Sequence, residues 1–168
     1  MSYQEHQTGA KAIHAGCAIV TLSDTRKIEN DVGGKRIATL LIEAGHLVAE
    51  YRVIPDDAEG LGKLLAEFLG RSDIDAILTT GGTGISRRDQ AVDVVEKIIE
   101  SPLPGFGELF RMLSWEQIGS GALMSRAVAG IARGKPIFAM PGSPKAVELA
   151  MTKLILPELR HILFELRK

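Results

Sequence analysis

The stretch Ile74-Asp75-Ala76-Ile77-Leu78-Thr79-Thr80-Gly81-Gly82-Thr83-Gly84 decides how this chain folds. Residues 74–80 form a short, largely apolar run that reads as a buried strand. It passes directly into three glycines in four residues, and a helix over about 91–100 follows, with Val92, Val95 and Ile99 on one face. A strand, a glycine turn and a helix start make one unit of a wound α/β sheet. Upstream, Cys17–Leu22 is a second buried strand. Gly33-Gly34 then leads into a helix with Ile37, Leu40, Leu41 and Ala44 at helical spacing, stopped by Gly45. His46–Ile54 is another strand candidate, closed by Pro55. Asp57 is placed to cap a helix striped by Leu61, Leu64, Leu65, Phe68 and Leu69 and ended by Gly70. Downstream, Ser101-Pro102 stops the helix at 91–100. Gly105-Phe106-Gly107 reads as a turn before a short helix over Glu108–Trp115. Ala127–Ala132 and Pro136–Met140 are short strands. Pro141-Gly142-Ser143-Pro144 opens a long C-terminal helix, with Pro157 starting its last segment.

This alternation predicts an α/β three-layer sandwich, a mostly parallel central sheet flanked by helices on both faces. Right-handed crossovers place the C-terminal ends of the parallel strands on one edge, where such sheets bind ligands near a topological switch point. Residues 1–14 are polar and aperiodic and read as a flexible N-terminal tail. Residues 15–168 read as a single domain, in keeping with the 168-residue length. Twenty Lys and Arg oppose 21 Asp and Glu, so nothing electrostatic argues for a nucleic-acid or membrane partner. The single cysteine, Cys17, excludes an internal disulfide framework and a multi-cysteine zinc site. With no apolar run near the roughly 20 residues that span a bilayer and no leader-like stretch over 1–16, the chain reads as cytoplasmic.

Four loops follow the predicted parallel strands, carrying Ser23-Asp24, Pro55-Asp56-Asp57, Gly81 through Asp89, and Pro141-Gly142-Ser143. The glycine loop suits an anion. Glycines let backbone N–H groups approach it, the next helix start adds positive potential, and Thr79, Thr80 and Thr83 offer hydroxyls. The loop fits neither the Gly-x-x-x-x-Gly-Lys-Ser/Thr nor the Gly-x-Gly-x-x-Gly pattern, so its signal is phosphate binding and nothing narrower. Asp89 either caps the helix at 91–100 or holds a cation that bridges carboxylate and phosphate, a role suited to Mg²⁺. Asp57 is the better helix cap, which leaves Asp56 spare as a second metal ligand. Arg87 and Arg88 either pair with phosphate or stand solvated. Ser143 either caps the C-terminal helix or serves a second anion site. Glu108 either reaches a ligand or simply follows a core Phe106. His6, His14, His46 and His161 lack ligand spacing, and Cys17 reads as core.

Thr79-Thr80-Gly81-Gly82-Thr83-Gly84 with Arg88-Asp89, Pro104-Gly105-Phe106-Gly107-Glu108, Leu123-Met124-Ser125-Arg126 and Met140-Pro141-Gly142-Ser143 together resemble the molybdenum-cofactor biosynthesis family of MoaB, MogA and the gephyrin G domains. The resemblance covers about residues 16–157. Phe110-Arg111-Met112-Leu113-Ser114 and Phe138-Ala139-Met140-Pro141-Gly142-Ser143 look nearest the MoaB branch. It implies a molybdopterin-binding fold and, in active members, a molybdopterin adenylyltransferase. Such an enzyme joins the AMP part of ATP to the terminal phosphate of molybdopterin and releases pyrophosphate, with Mg²⁺ required. The family's functional aspartates correspond to Asp56 and Asp89. Gly81, Gly82, Thr83, Gly84, Ser125, Pro141, Gly142 and Ser143 correspond to its pterin-phosphate and nucleotide site. Thr80, Gly107, Glu108 and Arg126 join them as substrate- or phosphate-binding candidates, and Ser23 and Asp24, with Gly142 and Ser143, are expected to line the nucleotide side. The family implies small-molecule substrates, a homo-oligomer (trimer or hexamer) and other molybdenum-cofactor enzymes as partners. Some MoaB members lack the first aspartate; this chain keeps Asp56. The competing expectations are a non-catalytic molybdopterin carrier, a scaffold module working through the C-terminal helix, and a hydrolase of pyridine-nucleotide derivatives with a similar sheet.

Overall fold

A computed structural model of the chain describes residues 10 and 12–168. Of the segment 1–14 read as a tail, residues 1–9 and 11 lie outside the described ones. In the remainder, Ala10 is buried, Ile13 packs against the core and His14 Nδ1 hydrogen-bonds the Gly45 carbonyl at 2.6 Å.

Six strands form one sheet: β1 Gly16–Leu22, β2 Leu47–Ile54, β3 Ala76–Thr80, β4 Ser101–Pro102, β5 Val128–Ala132 and β6 Lys135–Met140. Their spatial order is β2-β1-β3-β6-β5-β4. The first four in that order run parallel, while β5 and β4 add an antiparallel edge. The hairpin between β5 and β6 turns through Arg133 and Gly134, both with positive φ. β1 and β3 are buried along their whole length, as strands covered on both faces must be, which is why they read as continuous apolar runs. β2 is an edge and half-exposed.

Helices cover both faces. On one, α1 (Val32–Glu43), α4 (Pro104–Ile118), α5 (Pro144–Ala150) and α6 (Leu156–Leu166) pack Ile37, Leu41, Phe110, Val147 and Leu159 against Cys17, Ile19, Leu78 and Met140. On the other, α2 (Ala58–Gly70) and α3 (Ala91–Ile98) pack Leu61, Leu65, Phe68 and Val95 against Ala18, Val20, Ile77 and Ile137. Alternate residues of each strand feed opposite cores. Asp57 caps α2, its carboxylate accepting from the Gly60 amide at 2.6 Å.

Three elements differ from the sequence expectation. Gly105-Phe106-Gly107 is the first turn of α4 and not a separate turn: Pro104 opens that helix, and Gly107 is glycine because a Cβ there would stand 2.5 Å from the Ala127 carbonyl oxygen. α3 ends at Ile98, ahead of the short edge strand β4. The C-terminal helix passes through a π turn over Met151–Ile155, and the Leu156 amide donates to Met151 O. Pro157 lacks an N–H and its ring would crowd the carbonyl four residues back, and the wider turn accommodates it. Among the described residues no helix is long and apolar enough to cross a membrane.

Candidate active site

The chain leaves β1 for β2 on one side and returns to β3 on the other, so the switch point lies at the C-terminal ends of β1 and β3. All four predicted loops meet there. The Ser23 amide donates to Ile54 O (2.9 Å) and the Asp56 amide to Asp24 Oδ1 (3.2 Å). The Gly81 amide donates to Met140 O (3.1 Å) and the Thr80 hydroxyl to Pro141 O (3.1 Å). Gly81 (φ 93°) and Gly82 (φ 65°) adopt a conformation that disfavours side chains, and a Cβ on Gly81 would fall on the Leu22 carbonyl oxygen. Two of the glycines thus close the loop against its neighbours.

Beyond them lies a cavity of about 360 Å³. Gly82, Thr83, Gly84, Asp89, Ser125, Pro141, Gly142 and Ser143 line it from the predicted set, with Phe110, Ile118, Met124 and Leu149 giving an apolar wall. The Thr83 carbonyl accepts from the Arg126 amide and the Gly82 carbonyl from the Ala91 amide. The amides of Gly82 and Thr83 find no acceptor among the described residues. Two unpaired N–H groups at a cavity wall are available to an anion. A larger groove between α2 and α3, lined by Ala58, Gly62, Leu69 and Val94, carries none of the loop residues.

Asp89 does not cap α3. That position falls to Gln90, whose side chain makes no capping bond. Asp89 instead folds back on its own loop, accepting from the Ser86 amide at 2.9 Å. The Ser86 side chain first, then the Ser86 and Gly84 amides and the charge of Arg126, hold its carboxyl below the ordinary carboxylate value against the opposing effect of burial. Asp56 shows the opposite balance. Burial, then the neighbouring charges of Asp24 and Asp89, push its carboxyl up, with Arg88 opposing. Its Oδ1 is buried with no hydrogen-bond partner among the described residues. Arg88 is ion-paired to Asp24. Asp24, Asp56 and Asp89 therefore share one rim. Asp24 is taken by Arg88, while Asp56, with its unsatisfied oxygen, and Asp89 offer carboxylate oxygens of the kind a hard divalent cation takes. Among the described residues no cluster of three or more His, Cys, Asp or Glu groups is arranged to hold a metal. Mg²⁺ suits a two-carboxylate arrangement, because it keeps water and phosphate ligands.

Several predicted residues are engaged elsewhere. Thr80 is fully buried, and its hydroxyl is used in tying two loops together. Thr79 is also fully buried. The Ser143 hydroxyl caps α5, accepting from the Ala146 amide at 3.2 Å. Arg126 holds the glycine loop from behind: Nε donates to Gly84 O at 3.0 Å, Nη2 to Asp89 O, and Nη1 pairs with Asp93 at 3.2 Å. Gly107 and Glu108 line a different cavity, shared with Arg111 and Ser125 and without the glycine loop. Ser23 Oγ accepts from the Thr25 and Arg26 amides in a tight local turn. The apolar wall went unread in the sequence because Phe110 and Leu149 carry ordinary helical core spacing. Lys145 also lines the cavity, and its only signal was its place two residues past Ser143.

The comparisons agree with this architecture. A family profile described as "Probable molybdopterin binding domain" matches residues 18–161. The molybdenum cofactor biosynthesis protein B of Bacillus anthracis is 48% identical over 169 residues, covering 100% of this chain and 99% of that protein. A crystal structure of a molybdenum cofactor biosynthesis protein B superposes with a TM-score of 0.90 at 48% identity, over 92% of this chain and 97% of that one. The tungsten cofactor synthesizing protein MoaB of Pyrococcus furiosus superposes with a TM-score of 0.83 at 34% identity, over 92% and 98%. Matched in this way along nearly its whole length, the chain belongs to the molybdopterin-binding-domain family and to molybdenum cofactor biosynthesis.

Proposed function

We propose that this chain is a molybdopterin adenylyltransferase: it joins the AMP moiety of ATP to the terminal phosphate of molybdopterin and releases pyrophosphate. The observation that carries the proposal is Asp56 Oδ1, a buried carboxylate oxygen without a partner, on a rim already made acidic by Asp24 and Asp89. A pure binding protein for an anionic pterin gains nothing from such a group. Asp56 and Asp89 would hold Mg²⁺, which when bound neutralises charge on the ATP phosphates.

The chain's own residues hold and orient the two substrates. The Gly82 and Thr83 amides bind the molybdopterin phosphate. Phe110, Ile118, Met124 and Leu149 give its pterin an apolar wall. A phosphate monoester is largely ionised at neutral pH, so the attacking oxygen needs no strong base. That oxygen bonds to the α-phosphorus as the bond from that phosphorus to the α–β bridging oxygen breaks. The electron pair leaves with pyrophosphate. Positioning and electrostatics supply most of the catalysis in such a transfer.

Pyrophosphate release with ATP, Mg²⁺ and molybdopterin tests the proposal. Asp56→Ala lowers turnover by roughly 100-fold or more while molybdopterin still binds. Wild-type chain that binds molybdopterin and releases no pyrophosphate is a carrier, and the catalytic proposal fails. The same reading includes a homo-oligomer, because Leu109, Met112, Trp115, Ile118 and Leu123 stand exposed on α4 and the turn that follows. Sedimentation equilibrium checks it: a trimer or hexamer is expected, and a monomer contradicts it.

A further inference from the structure

Both substrates of the proposed reaction are polyanions, yet most cations around the glycine loop are already committed. Arg88 pairs with Asp24. Arg126 is spent on Gly84, Asp89 and Asp93. Arg111 Nη1 donates to the Ser125 and Ala127 carbonyls at 3.4 and 3.3 Å. Arg26 donates to Gly142 O at 3.3 Å and lies 3.9 Å from the buried Asp31 carboxylate.

Arg87 and Lys145 have no side-chain partner among the described residues, and of the two only Lys145 lines the cavity. It is exposed, in the first turn of α5, and is the one basic residue among those lining the glycine-loop cavity. Among the described residues no hydrogen bond or ion pair engages its ammonium. The acid one turn further on, Glu148, is already held by Arg36 through two bonds of 2.6 and 3.0 Å. The only other charged residue in the lining is Asp89, an anion, whose Oδ2 accepts from the Ser86 amide. Among the described residues, the cavity lining thus includes two residues with unpaired backbone amides and one unpaired cation. An ammonium on a flexible stem can follow a phosphate as it moves from free monoester to bridging diphosphate.

We infer that Lys145 is the phosphate-binding cation of this cavity, and that it selects a phosphorylated pterin over the same pterin without phosphate. The inference rests on the proposed function, since it takes the cavity to be the pterin site. Lys145 contributes binding of the dianion, so its loss raises KM for molybdopterin more than it lowers kcat. It holds nothing else in the structure, so its loss does not act through the fold.

Equilibrium binding of molybdopterin and of its dephosphorylated form, over a range of salt concentrations, tests this. Lys145→Gln is expected to weaken molybdopterin binding roughly tenfold to 100-fold and to flatten its salt dependence, the loss of one charge-assisted hydrogen bond. Lys145→Arg restores most of the affinity, and the dephosphorylated pterin binds all three proteins alike. Equal molybdopterin affinity in wild type and Lys145→Gln overturns the lysine assignment alone. The same loss for both pterins also overturns it. A wild-type chain that binds neither pterin overturns the site reading and this inference together.

Discussion

Asp56 and Asp89 stand on one rim and are driven in opposite directions. Asp89 is satisfied by its own loop, whereas Asp56 is desolvated, crowded by like charges and left with an oxygen unpaired. An acid whose folded pKa is raised binds its proton more readily in the native state, so its ionisation destabilises the fold as pH rises through that value. A bound cation reverses the balance. At the opposite edge of the sheet, His46 is buried, accepting from the Ala15 amide at 3.1 Å. Burial first, then Arg160 and His14, push its pKa from 6.5 down to about 4. The unfolded chain therefore binds the proton more tightly between those values. Stability is complete above about pH 6.5 and falls toward pH 4, by on the order of 3 kcal/mol. Chemical denaturation across that range checks it. His46→Asn is expected to flatten the slope, and an unchanged slope contradicts the assignment. Residue by residue, the sequence indicated which loops meet more surely than what each side chain does there. Asp57 as a cap was legible from its place before a striped helix. Whether Asp89 capped or turned back depended on Ser86 and Arg126, whose directions no spacing encodes.

At the scale of elements, the glycine loop is held by a neighbouring strand end and by one arginine. The guanidinium fork of Arg126 spans the Gly84 and Asp89 carbonyls and the Asp93 carboxylate. Lysine in its place keeps the charge and loses the fork. Arg126→Lys is therefore expected to speed hydrogen exchange at the Ser86, Asp89 and Ala91 amides about tenfold, a local loss near 1.4 kcal/mol. Unaltered exchange there contradicts the clamp. The strands β1 and β3 and the helices α1 and α2 were legible because their periodicity is set by burial. α4 was misjudged at its start because glycines ordinarily signal a turn, while Gly107 answers to packing against Ala127. The π turn at Met151–Ile155 was illegible, since it is a response to Pro157 inside an otherwise regular helix.

For the molecule as a whole, the order β2-β1-β3-β6 brings four loops distant in sequence to one edge. That convergence followed from the alternation of strands and helices, and bonds between the loops realise it. What the pattern left out was the second cavity, lined by Gly107 and Glu108 and not by the glycine loop, with Ser125 lining both. The central claim is that one rim holds both a phosphate and a divalent cation. A crystal structure with molybdopterin and Mn²⁺-ATP, read through the anomalous signal of manganese, tests it most directly. The account predicts manganese bound at Asp56 Oδ1 and the pterin phosphate on the Gly82 and Thr83 amides. Manganese away from Asp56, or the phosphate lodged beside Glu108, would contradict it.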